Sequence, residues 1–514
     1  MKIERILIED QMAPIGLDEK KPVFSWLLTA EEGEQNLMQS ACRIVVRTGE
    51  DTVWDSGKME TGVSTGIGYE GEALQPCTKY EVKAEVWDNH GGKAEAESSF
   101  ETGLMDSLYA AWEGAEWIGA PHATVCAENR GVFTIESEFR MEGGKGEAGI
   151  VFGANDFRLN DHTKNELGME GENYIRYAVC LEEGDARLEI YRVGYAPEDT
   201  AEKPFAVTKL VNWKEKTQEI LTPENADAFH KLTVEVDGNV AYAYVDGILV
   251  DAIEEHGFFG TKVSGRQLNP RGNNDVLPYP RLNEIGFYAG KGTTGYFKNL
   301  TVRNVRKPSA EIVRETPEGR LDGGKSIFAD QIPVENGYFK VEDSQITADP
   351  SHHSIPMLRS CISCQKEKKL ASARLYITAR GIYDCRINGQ EITEDLLRPG
   401  LTQYDHRINY QTYDITGLMK PGRNGIGVTL ASGWWSEAQT FVVKNFNYFG
   451  DKESLLAKVV MKYKDGSREV FGTNTEDWKY FGEGPYLFSS YFAGEQYDAR
   501  RAEVYETYSL PEFD

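Results

Sequence analysis

Two adjacent tryptophans, Trp434 and Trp435, follow a glycine at the end of YQTYDITGLMKPGRNGIGVTLASGWW, Tyr410 to Trp435. Sugars present C–H faces that stack on aromatic rings, so an exposed tryptophan can act as a carbohydrate platform. Neighbours on a strand face opposite ways, so at most one of the pair should be core. Packing against another body is the favoured reading for the other. A second group is Asn155, Asp156, Glu172 and Asn173, in VFGANDFRLND and GENYIRYAV. Their oxygens are the ligands Ca2+ takes, but no EF-hand spacing accompanies them, and solvated loop residues are the competing reading. Asp405 and His406 could pair as acid and base. Adjacent strand residues splay apart, which favours a turn-capping Asp and a surface His. His352 and His353, in SHHS, have no third ligand close in sequence and read as surface. Cys361 and Cys364, in CISC, have redox or zinc spacing without a second CxxC. Three apart on a strand, their thiols should diverge. Neither a Gly-x-Ser-x-Gly elbow nor a phosphate loop occurs, so serine-hydrolase and nucleotide chemistry lack support.

The elements that must position these residues read as β-strands. Short alternating runs broken by Gly, Asn and Asp dominate, and helical periodicity is almost absent, which is the pattern of β-sandwiches. Asp237-Gly238, Asp246-Gly247, Asn388-Gly389 and Asp465-Gly466 sit between such runs, as hairpin turns tolerating positive φ do. The expectation is an all-β chain of sandwich and jelly-roll modules in tandem. Its 514 residues allow roughly three or four domains of about 150 residues. The expected modules are residues 1–105, 115–305 and 327–514, with KPSAEIVRETPEGRLDGGKS (307–326) as a polar linker.

The net charge of −26 and the lack of a Lys/Arg cluster argue against a nucleic-acid partner. No apolar run has spanning length, so no membrane partner is expected. The opening MKIERILIEDQ has no apolar h-region, and seven scattered cysteines do not form a disulfide framework. Both features predict a cytoplasmic protein.

Three resemblances follow. LQPCTKYEVKAEVWD resembles the fibronectin type III pattern, in which Leu74 precedes a turn and Tyr80 enters the next strand. A buried tyrosine there caps nearby backbone, so Tyr80 is read as structural. FHKLTVEVDGNVAYAYVDGILVD together with EIGFYAGKGTTGYFKNLTVRN resembles a concanavalin/laminin-G jelly roll. In the third module, the Asn388-Gly389 hairpin, Pro399-Gly400 with Thr402 and Tyr404, Tyr410 to Thr416, Leu418 to Asn424 and Gly433 to Trp435 are similar to the N-terminal domain of bacterial α-L-rhamnosidases. MAPIGLDEKKPVFSWLL, DTVWDSGKM and AEWIGAP resemble the fibronectin-like start of the same enzymes. Together these cover about three hundred of the 514 positions.

The rhamnosidase resemblance implies an inverting glycoside hydrolase acting on terminal α-L-rhamnose of plant glycosides or polysaccharides. It further implies an (α/α)6 catalytic barrel after the β modules, a partner for this chain within the same polypeptide. That barrel needs about twelve amphipathic helices, which no segment here supplies. The chain is therefore read as the bracing, carbohydrate-binding part of a longer enzyme and is expected to be inactive alone. The competing reading is a self-contained carbohydrate-binding protein. No catalytic pair is assigned. No cofactor is required, although related enzymes can carry a calcium-assisted, rhamnose-binding module of the middle type, for which Asn155, Asp156, Glu172 and Asn173 are the candidates.

Overall fold

A computed structural model describes residues 1–30, 32–126, 132–156, 159, 172–182, 185–196, 199–211, 220–222, 224–237, 240–252, 281–305, 307–437, 447–491 and 494–513. Strand makes up 51% and helix 6%, so the protein is all-β as expected. Among the described residues no helix is long and apolar enough to cross a membrane.

The first module is a sandwich of a three-stranded and a four-stranded sheet. Lys79–Asp88 buries alternate residues at its start and pairs with both Gln39–Thr48 and Lys93–Glu101. Tyr80 is buried, and its hydroxyl accepts the Gln75 N–H at 2.7 Å, the corner device expected of it.

Two larger sheets form the middle module. The segment expected to be a linker is part of it. Lys307–Thr316 pairs with Leu300–Asn304, Tyr338–Glu342 pairs with Thr294–Phe297, and Gln345–Ala348 pairs with Glu284–Ala289. The boundaries at 305 and 327 thus fall inside the middle module's sheets. Its polarity misleads because Glu315 is fully buried, with Oε2 accepting from the Ser326 hydroxyl at 2.8 Å and the Ile327 N–H at 3.0 Å. Phe328 and Phe339, past the supposed linker, close an aromatic cluster on Phe287 with centroids 5.0 and 5.5 Å away.

Two five-stranded layers make the third module. The start expected for the middle module at 115 belongs here instead. Ile118–Gly119 adds to the edge of Ser454–Tyr463, while Leu104, Trp112 and Ala115 pack on Tyr376, Leu456 and Val460. The motif residues are its internal wiring. Asn388 donates to Asn424 Oδ1 at 2.8 Å, and Asn424 accepts the Lys420 N–H at 2.7 Å, so the Asn-Gly hairpin and the following turn lock together. Asn388 and Gly389 both have positive φ, 51° and 83°, as a type I′ turn requires. Asp246-Gly247 repeats that geometry with φ of 50° and 76°. Gly466 alone is positive in its pair, and Gly238 lies outside the described residues.

First and third modules are clamped together. Glu101 takes a two-pronged contact from Arg374 at 2.6 and 2.7 Å. The Tyr410 hydroxyl donates to Asp18 Oδ2 at 2.6 Å and accepts the Leu104 N–H at 2.7 Å.

Candidate functional site

Ser432 to Ser436 does not continue the strand that precedes it. Gly433 has φ +50°, and a Cβ there would lie 2.5 Å from Ile382. The chain turns into one helical turn, Gly433–Ser436. Trp434 and Trp435 are therefore about 100° apart rather than opposed, which corrects the expectation of a strand pair. Trp435 meets Tyr404 edge-on at 5.8 Å, stacks on Phe449 at 6.4 Å and donates Nε1–H to the Lys452 carbonyl at 2.9 Å. Arg380 lies between its ring and Trp117, 5.4 and 4.5 Å from the two centroids. Trp435 is thus a packing residue. Trp434 instead lies against Tyr491 at 4.6 Å.

Tyr491 and Gly433 line a cleft of about 550 Å3 in the third module. Asp384 at its wall accepts from Arg398 at 2.8 Å and from the Tyr505 hydroxyl at 2.8 Å, so both its oxygens are engaged. Glu391 pairs with Arg386 at 2.8 Å. The rim carries exposed Leu396 and Leu397, and Leu401 a few residues on is exposed as well.

A second cavity, about 280 Å3, opens where the middle and third modules meet, with Asn155 and Asp156 on one wall and His352 and His353 on the other. Asn155 turns the chain with φ +54°. Asn173 then clasps the next residue, its Oδ1 accepting the Asp156 N–H at 2.7 Å and its Nδ2 donating to the Asp156 carbonyl at 3.4 Å. The structure thus brings Asn155, Asp156 and Asn173 together, but the Asn173 amide is committed to backbone. Glu172 is exposed and does not line the cavity. Glu284 does, accepting from Asn155 Nδ2 at 2.7 Å and the Thr347 hydroxyl at 2.6 Å. It follows Asn283 at a strand start, and no spacing in the sequence pointed to it.

The histidines are not surface residues. Both are partly buried, and Asp322 from the former linker stands beside them, His353 Nε2 lying 2.9 Å from Asp322 Oδ2. Burial pushes the Asp322 carboxyl up, but the Arg320 guanidinium and the Gly324 N–H outweigh it and hold it at about 2. Burial lowers the pKa of both His122 and His352. Asp405 and His406 sit in an exposed turn, 3.9 Å apart. Cys361 and Cys364 diverge as expected. The first accepts from Arg423 Nε at 3.0 Å and the second is buried near the Tyr463 hydroxyl at 3.9 Å.

A feature missed from sequence lies on the middle sheet. Arg176 covers the rings of Tyr288 and Tyr191 at 3.7 and 4.2 Å, beside Glu147, whose carboxyl is pushed up by burial. Arg176 and Tyr191 are register partners. Alternation placed each on a face, but only the pairing brings them into contact.

Residues 368–514 match the family described as Alpha-L-rhamnosidase N-terminal domain, and residues 3–106 match Rha78A-like, N-terminal immunoglobulin domain. The chain is 26% identical to an α-L-rhamnosidase of Streptomyces avermitilis over 517 residues, covering 99% of this chain and 43% of that protein. A Formosa agariphila α-L-rhamnosidase is 40% identical over 132 residues, 25% of this chain and 14% of its own length. The chain therefore spans less than half of these relatives. The solved structure of the Streptomyces avermitilis α-L-rhamnosidase complexed with L-rhamnose superposes with a TM-score of 0.55 and 21% identity, covering 100% of this chain and 44% of that one.

Proposed function

We propose that this chain, which carries the N-terminal β-domains of the α-L-rhamnosidases, is the substrate-side scaffold of an enzyme that removes terminal α-L-rhamnose from plant glycosides or polysaccharides. The observation that carries the reading is the pair of family matches at both ends of the chain, with one relative aligned across nearly all of it. An inverting hydrolase needs a raised carboxylic acid and a second carboxylate about 6.5–9.5 Å away across the sugar. In the third-module cleft Asp384 and Glu391 are tied to arginines, while Glu394, Asp395 and Glu495 also line it. Glu147 and Glu315, which burial does raise, belong to the middle module, and Glu315 is sealed in its interior. On this reading the β-domains scaffold the substrate, and bond cleavage belongs to another part of the enzyme. The apolar rim at Leu396 and Leu397 is the surface that would brace a catalytic barrel, with Trp434 packed on Tyr491 of the same cleft.

Within the scaffold, the 280 Å3 cavity is the candidate carbohydrate subsite. Asn155, Asp156 and Glu284 present a side-chain amide and carboxylates there, the hard oxygen donors that suit Ca2+, with Glu284 replacing Glu172. Calcium bound there would supply a charge able to draw in vicinal sugar hydroxyls. Purified 1–514 should not turn over an aryl α-L-rhamnoside, and turnover above blank would overturn the scaffold reading. Calorimetric titration with L-rhamnose should give heat only with Ca2+ present and lose it in D156N. Heat with rhamnose from a natural protein ending at Asp514 would instead favour the self-contained carbohydrate-binding protein.

A further inference from the structure

The cluster at the seam between the middle and third modules has the composition and spacing of a metal site. Asp322, His352 and His353 each present one ligand atom, all within 4.8 Å of one another. Asp322 follows a hairpin at the edge of a middle-module sheet, while Ser354 is bonded to the third module through Gly482 and Gly484. Val125 and His352 form an isolated bridge. Through it His122 comes alongside, its ring parallel to that of His353 with centroids 6.1 Å apart.

Four details separate this cluster from an ordinary ion pair. The His352 Nδ1 lies 2.5 Å from the Pro350 carbonyl. A carbonyl only accepts, so Nδ1 holds the proton and Nε2 is left with a lone pair, the arrangement that a backbone oxygen imposes on a metal-binding imidazole. His353 Nε2 is buried and 2.9 Å from Asp322 Oδ2, yet off the line that a hydrogen bond needs and otherwise without a partner. His353 also occupies the left-handed region, φ +65°, a conformation that side-chain-bearing residues keep where surroundings enforce it. The Asp322 carboxylate is pre-aimed, with Oδ1 held by Arg320 Nε at 2.6 Å and the Gly324 N–H at 2.8 Å.

We propose that Asp322, His352 and His353 form a binding site for a divalent transition-metal ion of the Zn2+ type, which staples the middle module to the third. Bonds of about 2.0–2.2 Å in a tetrahedron put ligand atoms roughly 3.3 Å apart. The His353–Asp322 contact is already tighter than that spacing at 2.9 Å, and all three atoms lie within 4.8 Å of one another, so the widest separation has to close by at most about 1.5 Å. Arg320 on Oδ1 removes much of the negative charge that Ca2+ or Mg2+ would need, whereas imidazole donors suit Zn2+. The site uses different ligand atoms from the Asn155–Glu284 oxygens across the same cavity and does not depend on the rhamnoside reading.

The test uses tag-free 1–514, stripped with chelator and titrated with Zn2+. One equivalent should bind and raise the melting temperature. The double variant H352A/H353A should lose that equivalent, and D322N should bind at least tenfold more weakly. Ca2+ in excess should not compete. Co2+ substitution in the unaltered protein should give the intense visible bands of a low-coordinate site, and X-ray absorption at the zinc edge should show imidazole scattering, two readouts that need no variant to fold. Failure to bind Zn2+ stoichiometrically, a zinc edge without imidazole scattering, or unchanged affinity in a folded H352A/H353A would overturn the proposal.

Discussion

Replacing Tyr410 with Phe deletes one oxygen from the junction of the first and third modules and leaves the ring in place. That ring is held independently, edge-on to Trp112 at 5.8 Å and tilted against Tyr376 at 6.4 Å, so no cavity of consequence opens. What is lost is the hydroxyl that donates to Asp18 Oδ2 at 2.6 Å and accepts from Leu104 N–H at 2.7 Å. A hydrogen bond to a charged group contributes about 1.5–3 kcal/mol, and a buried N–H left without an acceptor costs about 1–3 kcal/mol. The two overlap, because Asp18 stays pinned by the Met105 N–H at 2.7 Å, so a destabilisation of about 2–4 kcal/mol is expected. For a unit of this size that is a fall in melting temperature of about 5–15 °C. Several modules unfold here, so a single two-state fit is inappropriate, and the double-mutant cycle with D18N is the cleaner assay. Its coupling energy should exceed about 1 kcal/mol. A Y410F melt within about 0.5 kcal/mol of the parent, or strict additivity with D18N, would refute the idea that this tyrosine joins the modules.

Three further outcomes follow from the same seams. Glu113 sits between Arg468 and Lys458, and the Arg468 hydrogen bond, with help from Lys458 and against the upward push of burial, holds its carboxyl at about 2. A depressed folded value means stability present above the unfolded value near pH 4.5 and lost as pH falls toward 2. Glu113 is about a third exposed (36%), so after allowance for solvent screening the effect is about 1–2 kcal/mol, and E113Q should flatten the acid limb of a pH-melting profile. W435A should cost about 2–3 kcal/mol in a urea melt, below the full cost of a buried aromatic because the ring is half-buried; a loss under about 0.5 kcal/mol would contradict the packing described. G427A would set a Cβ 2.5 Å from the Tyr508 ring and 2.8 Å from Ser509, so a loss of about 1–3 kcal/mol is expected, with early proteolytic release of the segment after Arg501 as the readout.

How far the sequence discloses this molecule depends on whether a feature is local. Asn388-Gly389 and Asp246-Gly247 are turns because two successive residues take positive φ, a property of the dipeptide itself. Tyr80 and its Gln75 partner lie five residues apart, within the reach of a motif. The module boundaries fail for the opposite reason. Gln345–Ala348 completes a sheet by pairing with Glu284–Ala289, and the buried Glu315 makes an interior strand read as polar. The tryptophan pair fails on one glycine, since φ +50° at Gly433 converts an expected strand into a helical turn.

The same distinction explains why the motifs that signal family say little about chemistry. Asn388 and Asn424 fasten one turn to another, Tyr404 supports Trp435, Gly427 admits Tyr508, and Tyr410 reaches the first module. Each is a residue whose replacement disturbs a fixed contact between backbone segments, which is a demand the local sequence must meet. The polar groups that could hold a ligand obey a weaker rule. Asp322 and the two histidines are thirty residues apart and converge because a hairpin of the middle module ends where the third begins. Asn155 and Glu284 meet through the pairing of Gly146–Ala154 with Glu284–Ala289. The Asp322–His352–His353 cluster is therefore a property of the seam between sandwiches and should be lost when the modules are separated even if each still folds, whereas the Asn155–Glu284 pair belongs to the middle module alone.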